Sequence, residues 1–159
     1  MQTRLIEIEP TDLKNKIILL DLNYTLVANS KQTKGPYPAR IYKQTYEKEL
    51  IKLIQNNTVI LITARPYKYS YETLKHIKEE TGFTPDDSYW NIGTWEDGMQ
   101  PHRLKEYWLE NAIFDKYGKD PKQYVAIESN KMTRKMYNDK GIYAIPKQDL
   151  DINVIPHPF

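Results

Sequence analysis

The chain has 159 residues, a formal net charge of +2, and 28% charged and 40% hydrophobic residues. These are the proportions of a soluble globular protein large enough for one substantial core, with no nucleic-acid or membrane signal in the charge balance alone. The absence of cysteine excludes disulfides, thiolate catalysis and Cys-ligated zinc.

No apolar run approaches the roughly 20 residues that span a bilayer, and "MQTRLIEIEPTDLK" at the start lacks the apolar core and cleavage site of a secretory signal. A single cytoplasmic domain over residues 1–159 is expected, with no repeat or long linker. The 13 tyrosines are expected mostly to pack, since an amphipathic ring serves a core boundary as readily as it stacks on a base.

Residues 16–22, "KIILLDL", read as a strand buried on both faces, because the apolar run is continuous rather than alternating. A polar loop with Gly35, Pro36 and Pro38 leads to a helix over 39–55, with Tyr42, Tyr46, Glu49, Leu50 and Leu53 at helical spacings and Leu50, Leu53 and Ile54 inward. A second buried strand, 58–63, ends before Ala64-Arg65-Pro66. The helix over 69–80 turns Leu74 and Ile77 inward, and Gly82 sits at its C-cap. A weaker strand covers 88–93.

A helix over 101–117 starts on Pro101 and carries Leu104, Trp108 and Ala112 along one stripe. A strand at 123–128, a helix at 130–139 with Met132 and Met136 one turn apart, and a last strand at 142–145 follow, before an irregular tail. This alternation predicts a parallel sheet between two helical layers. Ligands in such sheets sit beyond the carboxyl ends of the strands, a rim that places Asp21, Thr63 and Glu128 together.

An Asp at a strand end serves as a nucleophile, a metal ligand or a turn cap. Beside Thr63, Lys105 and Glu128 it suggests a phosphoryl site, where positioning and charge neutralisation supply most of the catalysis. Taken singly, Thr63 reads equally well as a helix cap and Lys105 as a solvated lysine on an exposed face. His76, His102 and His157 show no metal spacing; Asp86, Asp87 and Asp97 read as loop acids, the last in a "WEDG" turn.

The order of these residues resembles the haloacid dehalogenase (HAD) superfamily, and within it the 3′-phosphatase domain of polynucleotide kinase. The likeness runs through "DLNYTLVANS", "KGPYP", "VILITARPYKY", "HRLKEYWL" and "YVAIESNKMTRKMYNDKGIYAI", most of residues 17–146. It implies a three-layer α/β/α, Rossmann-like and uncapped fold. Asp21 would become an aspartyl-phosphate, Thr63 would hold a phosphate oxygen, and Lys105 would neutralise both. Thr25 would brace the turn, Arg65 would grip substrate, and Asp21, the Asn23 backbone carbonyl and Glu128 would hold Mg²⁺.

Two departures stand out. The family's second Asp, which protonates the leaving group and activates water, is Asn23 here; losing a general acid–base costs about 10²- to 10⁴-fold. The acidic pair after the fourth strand is Glu128-Ser129, which weakens the Mg²⁺ site. Two functions follow: a slow, Mg²⁺-dependent phosphatase acting on a nucleotide or nucleic-acid end, or a protein that binds or sequesters a nucleotide-type ligand without turnover. An open rim suits a bulky ligand such as a polynucleotide end, a dinucleotide or an ADP-ribose-like molecule. Lys31, Lys34 and Arg40 in one loop, and Arg65, Tyr67 and Lys68 in the next, interleave basic residues with aromatics, which suits phosphate-plus-base recognition and equally an ordinary solvated loop.

Overall fold

The structure is a computed structural model and describes residues 13–93 and 100–150. The strands are β1 (Ile17–Leu20), β2 (Thr58–Pro66), β3 (Asp87–Asn91), β4 (Tyr124–Ile127) and β5 (Tyr143–Ile145). All pair in parallel in the order β3-β2-β1-β4-β5. The chain builds outward from β1 to β3, then crosses to the other side of β1, so the switch point lies between β1 and β4.

Along each central strand the side chains alternate between two cores. Ile18, Leu20, Val59, Leu61, Val125 and Ile127 face one, with Leu50, Ile54 and Ile77. Leu19, Ile60, Ile62, Tyr124 and Ala126 face the other, with Leu109, Ile113, Met136 and Tyr137. A strand covered on both faces needs apolar residues at every position, which is why "IILL", "VILI" and "YVAI" carry no polar alternation. The result is the expected three-layer α/β/α, Rossmann-like architecture.

The helices are α1 (Ala39–Tyr42), α2 (Lys48–Ile54), α3 (Ser70–Thr81), α4 (Pro101–Trp108), α5 (Phe114–Tyr117) and α6 (Lys131–Asp139). The continuous helix expected over 39–55 is in fact broken. Ala28 N–H donates to Thr45 O and Glu47 N–H donates to Leu26 O, both at 2.8 Å, on either side of an isolated antiparallel bridge between Val27 and Tyr46. Tyr46 is buried against His76, while Tyr42 faces solvent. The segment between β1 and β2 carries the turn Leu22–Leu26, α1 and α2.

Between α4 and α5 the helix widens into a π-helical turn, Leu109–Ile113. One extra residue in the turn moves the inward stripe from Trp108 and Ala112, both half-buried, to Leu109 and Ile113. In α6 the inward stripe is Thr133, Met136 and Tyr137, and Met132 is 55% exposed. Gly82 ends α3 at φ 78°, a left-handed C-cap as expected. The "WEDG" segment with Asp97, and His157, lie outside the described residues.

Candidate active site

β1 ends one residue before Asp21 because the chain turns there. The Asp21 N–H donates to Ile127 O of β4 at 3.0 Å, and Leu22–Leu26 wraps into a wide turn with Tyr24 at φ 62°. The turn returns Thr25 beneath the acid, where its hydroxyl donates to Asp21 Oδ2 at 2.8 Å. Asp21 thus stands at the carboxyl end of the central strand, 8% exposed.

Lys105 reaches it from α4. Its Nζ donates to Asp21 Oδ1 at 2.9 Å and to Glu128 Oε1 at 2.7 Å. Lys105 is 2% exposed, so it is a buried ion-pair centre rather than a solvated surface lysine. From the loop after β4, Ser129 donates through Oγ (2.8 Å) and through its backbone N–H (3.3 Å) to Asp21 Oδ2. The same Oγ lies 3.3 Å from the backbone oxygen of Asn23. Arg134 donates to the carbonyls of Glu128 and Ser129 and pins this loop.

The two acids respond differently to one shared ammonium. Burial works against the Asp21 carboxylate, but Lys105 and the Ser129 and Thr25 hydrogen bonds outweigh it and hold its pKa below the usual Asp value. Among the described residues Glu128 has only Lys105 and the Asn130 N–H (3.0 Å) as donors, so burial prevails and pushes it up to about 7, with Asp21 adding repulsion. Burial also opposes the charge on Lys105, but Asp21 and Glu128 overcome it and raise its pKa.

Arg65, at the far end of β2, is equally buried. Its guanidinium donates to Thr73 Oγ1 (2.9 Å), Asn23 Oδ1 (3.0 Å) and Gln44 Oε1 (3.0 Å) and lies 4.8 Å from the centre of the Tyr37 ring. Arg40 packs over that ring too, at 5.0 Å. Among the described residues Arg65 meets no carboxylate.

Thr63 is buried, and its Oγ1 accepts from Arg65 N at 3.1 Å. Leu20 is level with Leu61, so Asp21 and Thr63 leave neighbouring strands within two residues of the same height. Lys34 is exposed and reaches none of these groups. Tyr67 is 60% exposed and lines, with Pro66, Lys68, Asn91, Ile92 and Gly93, a cleft of about 430 Å³ at the ends of β2 and β3. Ser129 was named by sequence only as the neutral member of the pair after the fourth strand, and Gln44 and the exposed, left-handed Tyr24 were not singled out as site residues.

The divalent metal implied by the resemblance does not fit these donors. Both Glu128 oxygens are engaged by Lys105 and Asn130 N, and the side chain beside Asp21 Oδ2 and Asn23 O is Ser129. Among the described residues no three His, Cys, Asp or Glu side chains form a metal cluster.

No family model matches the chain, and no curated protein matches it. A chain of the solved "Structure of the Pnkp1/Rnl/Hen1 RNA repair complex" superposes with a TM-score of 0.63 at 17% identity, over 92% of this chain and 46% of that one. This chain therefore spans about half of that neighbour's length, and the likeness is one of fold.

Proposed function

We propose that this chain recognises the terminal phosphate of a nucleotide or nucleic-acid end at Asp21 and transfers it slowly to that carboxylate. The observation that carries the reading is the ionised Asp21 at the carboxyl end of β1, with the Lys105 ammonium 2.9 Å away and a buried arginine along the same rim. The RNA-repair origin of the structural neighbour and the HAD-like order of residues support the same substrate class.

In the transfer, an Asp21 oxygen attacks phosphorus, the Asp21–phosphorus bond forms and the ester P–O bond breaks. Lys105 and Arg65 offset the charge on the phosphoryl oxygens. Water then attacks phosphorus, the Asp21–phosphorus bond breaks, and inorganic phosphate and the carboxylate are regenerated. The proton for the departing oxygen must come from solvent, because the Asn23 amide has none to exchange. Thr25 and the two Ser129 donors all fall on Asp21 Oδ2, whereas Oδ1 accepts only from Lys105 among the described residues, so Oδ1 keeps a lone pair for the attack. The missing acid slows turnover.

A second reading, holding the ligand without turnover, is favoured by Arg65 fixing the Asn23 amide oxygen at 3.0 Å. Phosphate release from a 3′-phosphorylated oligonucleotide separates the two. The first expects slow release that Asp21→Asn abolishes and Asn23→Asp accelerates by about 10-fold or more. The second expects the oligonucleotide to come back unchanged from the denatured complex. If neither wild type nor Asn23→Asp releases phosphate while both stay folded, the transfer is wrong.

A further inference from the structure

Resting on Asp21 as the phosphate-facing carboxylate, we infer that the site grips its phosphate without a divalent cation, the Ser129 hydroxyl taking the seat a metal would need. A magnesium ion between Asp21 Oδ2 and Asn23 O would stand about 2.0–2.1 Å from each. The Ser129 Oγ already lies 2.8 and 3.3 Å from those two oxygens. Its single proton goes to the nearer, carboxylate oxygen. That oxygen also accepts from Thr25 and from the Ser129 N–H, which leaves no lone pair for a metal. The other acid, Glu128, is spent on Lys105 and on the start of α6.

The unmet demand in this part of the molecule is for an acceptor. Three buried side-chain atoms with no hydrogen-bond partner occur among the described residues: Arg40 Nε, Gln44 Nε2 and Arg65 Nε. All three are donors, and they belong to one cluster. Gln44 accepts from Arg65, Arg65 and Arg40 share the Tyr37 ring, and Arg65 holds Asn23. Leaving such donors buried and unpaired is costly, a cost that an anion's oxygens remove and a cation raises. Lys105 has a third N–H beyond the two it spends on Asp21 and Glu128. The hydroxyl hydrogen of Thr63 is engaged by no acceptor among the described residues. Phosphate oxygens match this set of donors.

The test is calorimetric titration with a 3′-phosphorylated dinucleotide, in EDTA and in millimolar MgCl₂, together with MgCl₂ alone. The expected result is a dissociation constant equal in the two buffers to within about a factor of two, and no saturable uptake of Mg²⁺ by the free protein. Ser129→Asp, which restores a second acid after β4, is expected to take up Mg²⁺ and to bind the dinucleotide about 10-fold or more tighter with Mg²⁺ than without. Tenfold tighter binding with Mg²⁺ in the wild type overturns the metal-free grip while leaving Asp21 as the phosphate site. No binding in either buffer removes both.

Discussion

At the scale of single residues, Glu128 and Tyr24 are the most exposed to test. Glu128 is pushed up to about 7, chiefly by burial, so the folded chain holds a proton that the unfolded chain releases above its ordinary value near 4.5. Its contribution is therefore fully present below pH 4.5 and falls as pH rises to about 7. Asp21 works in the opposite sense and elsewhere. Its lowered pKa gives stability that is present above about 3.8 and lost only in stronger acid. The stability difference between wild type and Glu128→Gln should accordingly shrink between pH 4.5 and 7 and stay flat above; a pH-independent difference would mean Glu128 remains ionised in the fold. Tyr24, half-exposed at φ 62°, bears a backbone conformation that costs an L-residue about 1–2 kcal/mol. Its N–H bond to Ser30 Oγ at 2.8 Å survives any side-chain change. Tyr24→Gly should raise unfolding free energy by about 1 kcal/mol in urea titration. A loss instead would show that the ring packs more than it strains.

At the scale of elements, the start of α6 is tied to the site. Asn130 caps it, its Oδ1 accepting from Thr133 N at 2.9 Å, and it directly follows Glu128 and Ser129, the two residues that meet Lys105 and Asp21. Asn130→Ala should cost about 1 kcal/mol in unfolding free energy and weaken binding of a phosphorylated ligand with it. Lost stability with unchanged affinity would mean that Arg134 alone fixes the loop. The element boundaries show where local pattern stops being enough. Spacing over 39–55 suits a helix, yet residues 43–47 gain two backbone hydrogen bonds from the strand-like segment Leu26–Ala28, a partner 17 or more residues away that no local window contains. The π-helical turn before α5 moves the buried stripe by one residue for the same reason: α4 must present Lys105 to the rim while the residues after it cover the sheet.

At the scale of the whole molecule, the rim carries two features. Asp21 stands at the end of the central strand, while β2 runs on past it to Pro66, where Pro66 pairs with Asn91 and Tyr67 borders the cleft. Between Ile62 and Pro66 the register against β3 shifts, four residues of β2 matching two of β3, so the two levels lie about 7 Å apart along the sheet at 3.3 Å per residue. A lone phosphate at Asp21 cannot reach the cleft, whereas a phosphorylated dinucleotide can. Tyr67→Ala should weaken a 3′-phosphorylated dinucleotide by about 1–3 kcal/mol, the worth of one stacked base, and weaken inorganic phosphate far less. Equal losses for both ligands would place the base elsewhere. Among the described residues no helix is long and apolar enough to cross a membrane.

The sequence by itself determined the layered sheet and the rim. Continuous apolar runs at 17–20, 59–62 and 124–127 can be satisfied only by strands covered on both sides, and an acid closing the first of them must stand where that cover ends. It also determined that the Asn23 side chain offers no exchangeable proton, since that is a property of an amide and not of its surroundings. The tertiary structure alone decided which partner each charge meets. Lys105 lies 84 positions from Asp21 and 23 from Glu128, and only the packing of α4 against the sheet makes it a buried bridge instead of a solvated cation. The same packing leaves Ser129, not Glu128, beside Asn23 O, and gathers Arg40, Gln44 and Arg65 around one ring. Pairings of this kind depend on distances through space, which residue order does not contain.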